Sequence, residues 1–479
     1  MKTTKKPPTK TVAKTPTNEK TVKKPTTTAK SKRVAKSKSA AAERPATIRY
    51  AKSIPVKYRA DVLVVGGGPA GAAAAVCAAR QGAKVRLIEA GSCLGGLGTA
   101  GLVPAFMQFT DGINFLAGGF GRELYDRLKA DGGLWGDSSI KVEALKRLYE
   151  SMLQEAGVEF TYHTQLIDLV KRGKRVEKAV CAAKSGLYAI EAQAFIDGTG
   201  DGDLCVLSGA RYAQGDEQGN TMPGTLCTLW GGIDWDVVWG PKGVRPCNAK
   251  IEQAFKDGVL SLEDRHLPGM WRVGEKLGGG NIGHTFGVDG TDEVSLTEAY
   301  IWGRKSHLEY ERYFKEYLRG FEKMELVVSA PLMGIRESRR IRCDYELNVA
   351  DFDPASTFPD EIGRYSYPID IHIAKPDRES YDQYVKDFSK RLGKGESYAI
   401  PYRSLTPVGL DNVWVSGRCI GTDRGMQASI RVMPCCYITG QAVGIAAALA
   451  VAKGVVSREI NVKTLQRRLK KIGGYLPNH

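Results

Sequence analysis

The chain has 479 residues, 42% hydrophobic and 25% charged, which excludes a wholly disordered protein, and no run of about 18 apolar residues is present to cross a membrane as a helix. The formal net charge is +16, but residues 1–60 hold 18 Lys and Arg against two acidic side chains, while the other 419 residues hold 51 of each. A body without net charge does not bind polyanions by charge alone, so the basic tail and the body need separate explanations.

Residues 1–57 are built mainly from Lys, Thr, Pro, Ala and Ser. Few large apolar side chains occur there to offset the ordering entropy, which predicts disorder. Three roles stay open. The tail is a solubilising leader; or residues 1–50 are a flexible arm for nucleic acid or another polyanion, similar to the tails of linker-histone-like proteins; or it is an organelle transit peptide, with Lys in excess over Arg and prolines against that reading. It lacks the apolar core of a secretory signal. The ten cysteines include no CxxC pair and follow no disulfide framework, so a reduced, cytoplasmic setting is expected.

Ala60 to Val65 is a short apolar, β-branched run, suited to a strand buried on both faces. Gly66-Gly67-Gly68-Pro69-Ala70-Gly71 follows at once, then an Ala-rich helix from Ala72 to Gln81, stopped by Gly82. A second strand, Lys84 to Ile88, ends at Glu89. Strand, GxGxxG, helix, strand and acid make a complete mononucleotide-binding unit. Gly66 allows the sharp turn, Gly68 lets a pyrophosphate approach the backbone, and Gly71 lets helix and strand come close. The helix start, with Pro69 and Ala70, offers free N–H groups and a positive dipole end to the phosphates. Glu89 is placed to accept from both ribose hydroxyls and would repel a 2′-phosphate, which leaves FAD or NAD and excludes NADP.

Next come a Gly-rich loop around Leu94-Gly95-Gly96, strand-like alternation over residues 158–194, and the turn Asp197 to Asp203, which includes Gly200 and Asp201. Residues 211–400 hold Gly-rich loops at Gly278-Gly279-Gly280 and Gly287 to Gly290, and a long helical candidate from Leu296 to Phe321 whose Trp302, Tyr310, Tyr313 and Tyr317 read as core. Near the end, Asp411 to Val415 is a strand running into Gly417-Arg418. Thr439-Gly440-Gln441 then opens an Ala-rich helix that could face the flavin pyrimidine ring.

These segments, with Gly334 to Ile341, Tyr367 to His372 and Val415 to Thr439, resemble the FAD-dependent oxidoreductase family of glutathione-reductase-like two-dinucleotide-binding flavoproteins, related to the fumarate reductase and succinate dehydrogenase flavoproteins. The resemblance spans nearly all of residues 58–455. It implies an α/β fold, a Rossmann-like FAD-binding domain with a β-meander, interrupted by an α+β substrate domain. It also implies FAD as cofactor, with Gly66, Gly68, Pro69, Ala70, Gly71, Glu89, Gly95, Gly96, Gly200, Asp201, Gly417, Arg418, Thr439, Gly440 and Gln441 around it. The expected divisions are a tail over 1–57, an FAD-binding domain over 58–210 and 401–479, and a cap over 211–400.

The chemistry should come from the middle region. Asp370 and His372 are two apart, so on a strand both share one face and could act as a tuned base. The family motif strengthens that reading over a structural histidine. His284, in a Gly-rich loop, is a second base. Arg336, Arg339, Arg340 and Arg342 concentrate positive charge suited to a carboxylate substrate or an FAD phosphate, and Arg336, after the apolar Gly334-Ile335, is the one expected to face inward; the alternative is a solvated charged strand paired with Glu337 and Asp344. His163, His266 and His307 show no context beyond surface or core. Cys93 lacks a redox partner, and Cys435-Cys436 reads as small-residue packing. No HExxH or carboxylate cluster is present, so no metal is expected. The expected activity is hydride transfer between a small polar or anionic organic substrate and flavin N5. The alternatives are a non-redox FAD-binding protein and a nucleic-acid-associated flavoprotein tethered by its tail.

Overall fold

The structure is a computed structural model that describes residues 47–388 and 390–479, of which 53–479 form one contact unit. The basic tail over residues 1–46, with its three candidate roles, lies outside the described residues.

The apolar run is the inner half of a strand, Val56–Val65, in which Val62, Leu63 and Val64 are fully buried. Helix Pro69–Ala79 and strand Val85–Ile88 follow. Gly82 has a φ of +91°, the left-handed conformation that lets glycine end a helix. In the main sheet Val56–Val65 lies between Val85–Ile88 and the long strand Gly186–Asp197, parallel to both. Glu159–Thr161 extends the parallel part beyond Val85–Ile88. The strands Thr164–Arg172, Arg175–Ala183 and Gly186–Asp197 form the antiparallel meander. The alternation over residues 158–194 therefore serves two purposes, one parallel strand and then a meander.

Gly186–Asp197 holds this sheet together. Its first half pairs with Arg175–Ala183, and its last residues pair in parallel with Val413–Val415. The C-terminal segment thus returns to the centre of the sheet. Behind it, helix Met433–Lys453 lies against helix Pro69–Ala79. A Cβ on Gly440 would stand 2.2 Å from the Ala70 carbonyl oxygen, and one on Gly444 at 2.2 Å from that of Ala74, so only glycine permits this approach. Contrary to the reading that no stretch is apolar enough to cross a membrane, Met433–Lys453 is long and apolar enough to do so, because its small polar residues do not break its overall hydropathy, but 89% of its apolar window is buried inside the fold. It starts at Met433, with Pro434 in its first turn, so Thr439-Gly440-Gln441 sits inside the helix and not at its opening.

The middle of the chain has its own cores. Trp230, Trp235, Tyr310, Tyr313, Phe314 and Phe321 form one cluster, and Leu226, Val288, Met333 and Ile335 another. An antiparallel sheet runs in the order Gly269–Arg272, Gly278–Asn281, Thr228–Gly231, Glu325–Ser329. The Gly278-Gly279-Gly280 stretch is thus a buried strand and not a loop. A Cβ on Gly279 would meet Pro104 Cβ at 2.4 Å, so the missing side chains create the room. The long helix is Glu293–Tyr317, capped by the Asp292 side chain accepting from Ser295 N. Ile341, Leu347, Ile362 and Tyr365 belong to the main core, so the separate cores of the middle region end near residue 335.

Asp197, at the end of the shared strand, is fully buried. Its carboxylate accepts from Thr199 N (3.0 Å), Thr199 Oγ1 (2.8 Å) and Cys205 N (2.9 Å), fixing the turn that follows. Burial raises its pKa, against the lowering effect of these donors. Asp197→Ala leaves the buried Cys205 N–H and the two half-buried Thr199 donors without their acceptor. It should lower unfolding free energy by about 2–3 kcal/mol, read from the urea midpoint at unchanged m-value.

Candidate functional site

The GxGxxG turn has a specific backbone geometry. Gly66 adopts φ +93°, and a Cβ there would lie 2.6 Å from the Gly198 carbonyl oxygen. A Cβ on Gly71 would sit 1.9 Å from the Gly66 carbonyl oxygen, so this position holds the helix start against the strand end. Gly68 is different. A Cβ there would have its nearest neighbour at 3.8 Å, and the residue faces a cavity of about 970 Å³. Gly68 is also the N-cap of Pro69–Ala79 and offers no side-chain cap, so the first amides of the helix are left for another acceptor. The Glu89 carboxylate accepts from Gly67 N (2.6 Å) and Gly91 N (2.7 Å), which fixes its position at the cavity edge with lone pairs to spare.

Of the residues expected around the cofactor, Gly66, Gly68, Pro69, Ala70, Glu89, Gly96, Gly200, Gly417 and Arg418 line this cavity. Gly71, Gly95 and Asp201 stand behind it: Gly95 N donates to the Gly67 carbonyl (2.8 Å), and Asp201 holds Arg418 at 2.5 Å. Thr439, Gly440 and Gln441 are buried away from it, because the helix begins a turn and a half earlier. Thr439 Oγ1 accepts from Gly417 N (3.1 Å), and Gln441 Oε1 accepts from Phe120 N (3.0 Å). In their place Arg431, Val432, Met433 and Cys436 bring the helix start to the cavity.

The far wall collects the polar residues of the middle region. Arg336 is buried and donates to the Pro223 carbonyl (2.9 Å), Thr225 Oγ1 (2.8 Å) and Asn281 Oδ1 (3.3 Å). Among the described residues it has no carboxylate partner. Burial, then the like charge of Arg431, brings its pKa down to about 10. The neighbouring arginines are paired: Arg339 with Asp203, Arg340 with Glu337 and Arg342 with Glu346. Asp344 pairs with Arg458 instead.

Asp370 and His372 lie in an extended segment after strand Glu361–Tyr365, outside any sheet, yet they keep the alternation that turns both inward. Asp370 accepts from Arg431 (3.0 Å) and Tyr367 (3.1 Å), and its Oδ1 is 3.4 Å from His372 Nε2. Burial alone would raise the Asp370 pKa, but His372, Arg431 and Arg336 outweigh it and hold it well below the carboxylate range. His372 Nδ1 meets His284 Nε2 at 2.9 Å, and His284 Nδ1 meets Asp264 at 3.2 Å. Asp370, His372, His284 and Asp264 thus form one buried chain, with Arg336 and His372 on the cavity wall and His284 behind. Burial, then Arg336, lowers the His372 pKa well below its ordinary value, and burial, then His284, brings that of His266 to about 4.

His266 is the residue that sequence reading passed over. It lines the cavity, with its ring centroid 4.9 Å from that of His284 and 4.8 Å from that of His372. One signal was present: Asp264-Arg265-His266 repeats the spacing of Asp370-Ile371-His372. Asp264, Tyr367, Tyr384 and Arg431 were missed as well. His307 is buried in its helix against the Leu226 carbonyl, and His163 is exposed. Cys93, Cys435 and Cys436 are free cysteines.

Residues 61–469 match the family model described as FAD dependent oxidoreductase. A 116-residue stretch is 37% identical to a vinyl phenol reductase of Lactiplantibacillus plantarum; it is 22% of this chain and spans only 24% of that protein. Among solved structures, similarity extends to an L-proline dehydrogenase from P. horikoshii (TM-score 0.43, 10% identity, 87% of this chain and 99% of that one). It extends also to a myxobacterial chondrochloren halogenase (TM-score 0.45, 13% identity, 87% and 78%).

The two helix-side glycines should separate cofactor loading from folding. Gly68→Ala adds a methyl only where the cavity is open, so the protein should fold with an unchanged melting temperature and bind FAD at least about tenfold more weakly. Gly71→Ala should lower the melting temperature itself, because the Gly66 carbonyl has to move.

Proposed function

The chain belongs to the FAD-dependent oxidoreductase family, and we propose that it oxidises or reduces a small polar or anionic organic substrate bound between the glycine cradle and the Arg336–His372 wall. The observation that carries this reading is the continuity of the cavity. One space runs from Gly68 and Glu89 to a buried guanidinium that has no carboxylate partner among the described residues, and to a histidine chain.

FAD, when bound, supplies a two-electron acceptor or donor at flavin N5. The first amides of Pro69–Ala79 and the bare backbone at Gly68 hold its pyrophosphate, and Glu89 takes the ribose hydroxyls. Gly96, Gly200, Gly417 and Arg418 complete that half, with Asp201 fixing the Arg418 guanidinium. Arg336 orients the substrate through a planar fork of N–H groups whose other donors are already satisfied by Pro223, Thr225 and Asn281. Both His372 nitrogens are engaged, Nε2 by Asp370 and Nδ1 by His284, so the chain Asp370–His372–His284–Asp264 fixes the imidazole on the cavity wall, where it positions the substrate beside Arg336. The part of the middle region with cores of its own, up to about residue 335, acts as the substrate cap, and residues 336–372, which rejoin the main core, complete the wall.

Anaerobic screening of carboxylate and carbonyl compounds for bleaching of the flavin band identifies a substrate. With that substrate, Arg336→Ala should lower the rate of flavin reduction about 100-fold while the flavin content of the purified protein stays constant, and Arg336→Lys should recover part of the loss. Loss of flavin from Arg336→Ala would assign the residue to the cofactor instead. His372→Asn should lower the same rate by at least about tenfold, again with FAD retained, because the wall beside Arg336 loses its fixed imidazole.

A further inference from the structure

We propose that His266, His284 and His372 form a binding site for one divalent first-row transition metal ion at the closed end of the cavity, with an open position for an oxygen anion of the substrate. The identity of that oxygen donor rests on the substrate-cavity reading above, whereas the ion site stands on the histidines alone.

One ring nitrogen from each of the three histidines lies within 4.8 Å of the other two. They come from separate segments: the Asp264–His266 turn, the residue after Gly283, and the extended stretch after strand Glu361–Tyr365. His284 and His372 are buried, and each turns its second ring nitrogen toward a buried carboxylate, Asp264 and Asp370 respectively. A carboxylate behind a ligating imidazole fixes its tautomer and raises its basicity, which is the usual outer layer of a histidine metal site.

Proton counting points the same way. A neutral imidazole owns one N–H. With those two protons turned to Asp264 and Asp370, His284 Nε2 and His372 Nδ1 face one another across 2.9 Å with lone pairs only. A cation shared between them removes the repulsion. A proton would serve two nitrogens, but the third histidine offers a further lone pair that a proton does not use and a metal ion does. At metal–nitrogen distances of about 2.05 Å, two nitrogens this far apart subtend about 90° at the ion, the angle between neighbouring octahedral positions and narrower than a closed tetrahedral site. The separations in the triad reach 4.8 Å, and two ligands of one ion stand at most about 4.1 Å apart, so the His266 ring closes in on the ion when it binds; the three nitrogens then occupy one face and leave the opposite positions open. His266 and His372 line the cavity, so those positions face the substrate.

Charge explains the oxygen anion. Asp370 pairs with Arg431, Asp264 faces His284, and Arg336 has no carboxylate partner among the described residues, so the carboxylates of this wall are already engaged when a divalent ion adds its positive charge. A carboxylate or enolate oxygen on the open side supplies the balance, and the ion then polarises that oxygen in place of the imidazoles.

The test uses full-length, untagged, FAD-loaded protein, stripped with a chelator and titrated with Zn²⁺ alone, then with Co²⁺ alone. Metal and flavin are quantified after gel filtration. Wild type should keep one equivalent of metal per chain. His266→Ala and His372→Ala should each weaken retention by at least about tenfold at unchanged FAD content, while His163→Ala, on the surface, should match wild type. Where His372→Ala fails to load FAD, His266→Gln decides. Wild type retaining less than a tenth of an equivalent, or triad variants retaining as much as wild type, overturns the site. Flavin reduction by substrate is scored separately. Reduction without metal sinks the ion site alone, and metal without substrate-dependent reduction sinks the substrate-cavity reading alone.

Discussion

The contact on which everything else depends is between two pieces of backbone. The Gly66 carbonyl oxygen stands where a Cβ of residue 71 would be, and Gly198 presses on Gly66 from the neighbouring strand. Three chain segments meet there without side chains: the end of Val56–Val65, the start of Pro69–Ala79 and the end of Gly186–Asp197. Side chains at these points would push the helix start away from the sheet, and its free amides would no longer open onto the cavity. The same economy recurs behind it, where Gly440 and Gly444 let helix Met433–Lys453 rest on the carbonyls of Ala70 and Ala74. Close approach of backbones both shapes the cofactor half and keeps it rigid.

How much of this was readable from the residues depended on whether a feature was local. The cradle was, because strand, glycines, helix and Glu89 follow each other within the 34 residues from Val56 to Glu89 and obey local rules. The start of helix Met433–Lys453 was misplaced because Ala-rich composition was given more weight than Pro434, a favoured first-turn residue. Gly278–Asn281 looked like a loop because glycine disfavours strands. What cannot be seen locally is that Pro104, Thr228 and Trp230 crowd that strand and leave no space for side chains.

The far wall was legible only in fragments. His372 and Asp370 could be paired by spacing, and Arg336 by its apolar neighbours. His284 became their partner through tertiary approach, and His266 had only a repeated Asp-x-His spacing to mark it. Three segments that are unrelated in sequence converge on one point. No short window of residues encodes such a point, because the geometry is set by two cores, the Trp230–Phe321 cluster and the main one.

The shared strand Gly186–Asp197 also bears on how the molecule is made. Its final residues, Phe195 to Asp197, have a parallel neighbour that is synthesised only at Val413–Val415, after the whole middle region has emerged. During translation the fully buried Phe195 and Ile196 therefore wait with one edge unpaired. Local contacts of the meander can form early, but the central sheet closes last, through a long loop whose entropy is lost before its contacts are gained. A chain stalled before residue 413 presents a sticky open edge, the kind of surface that chaperones shield and that draws unfinished copies together.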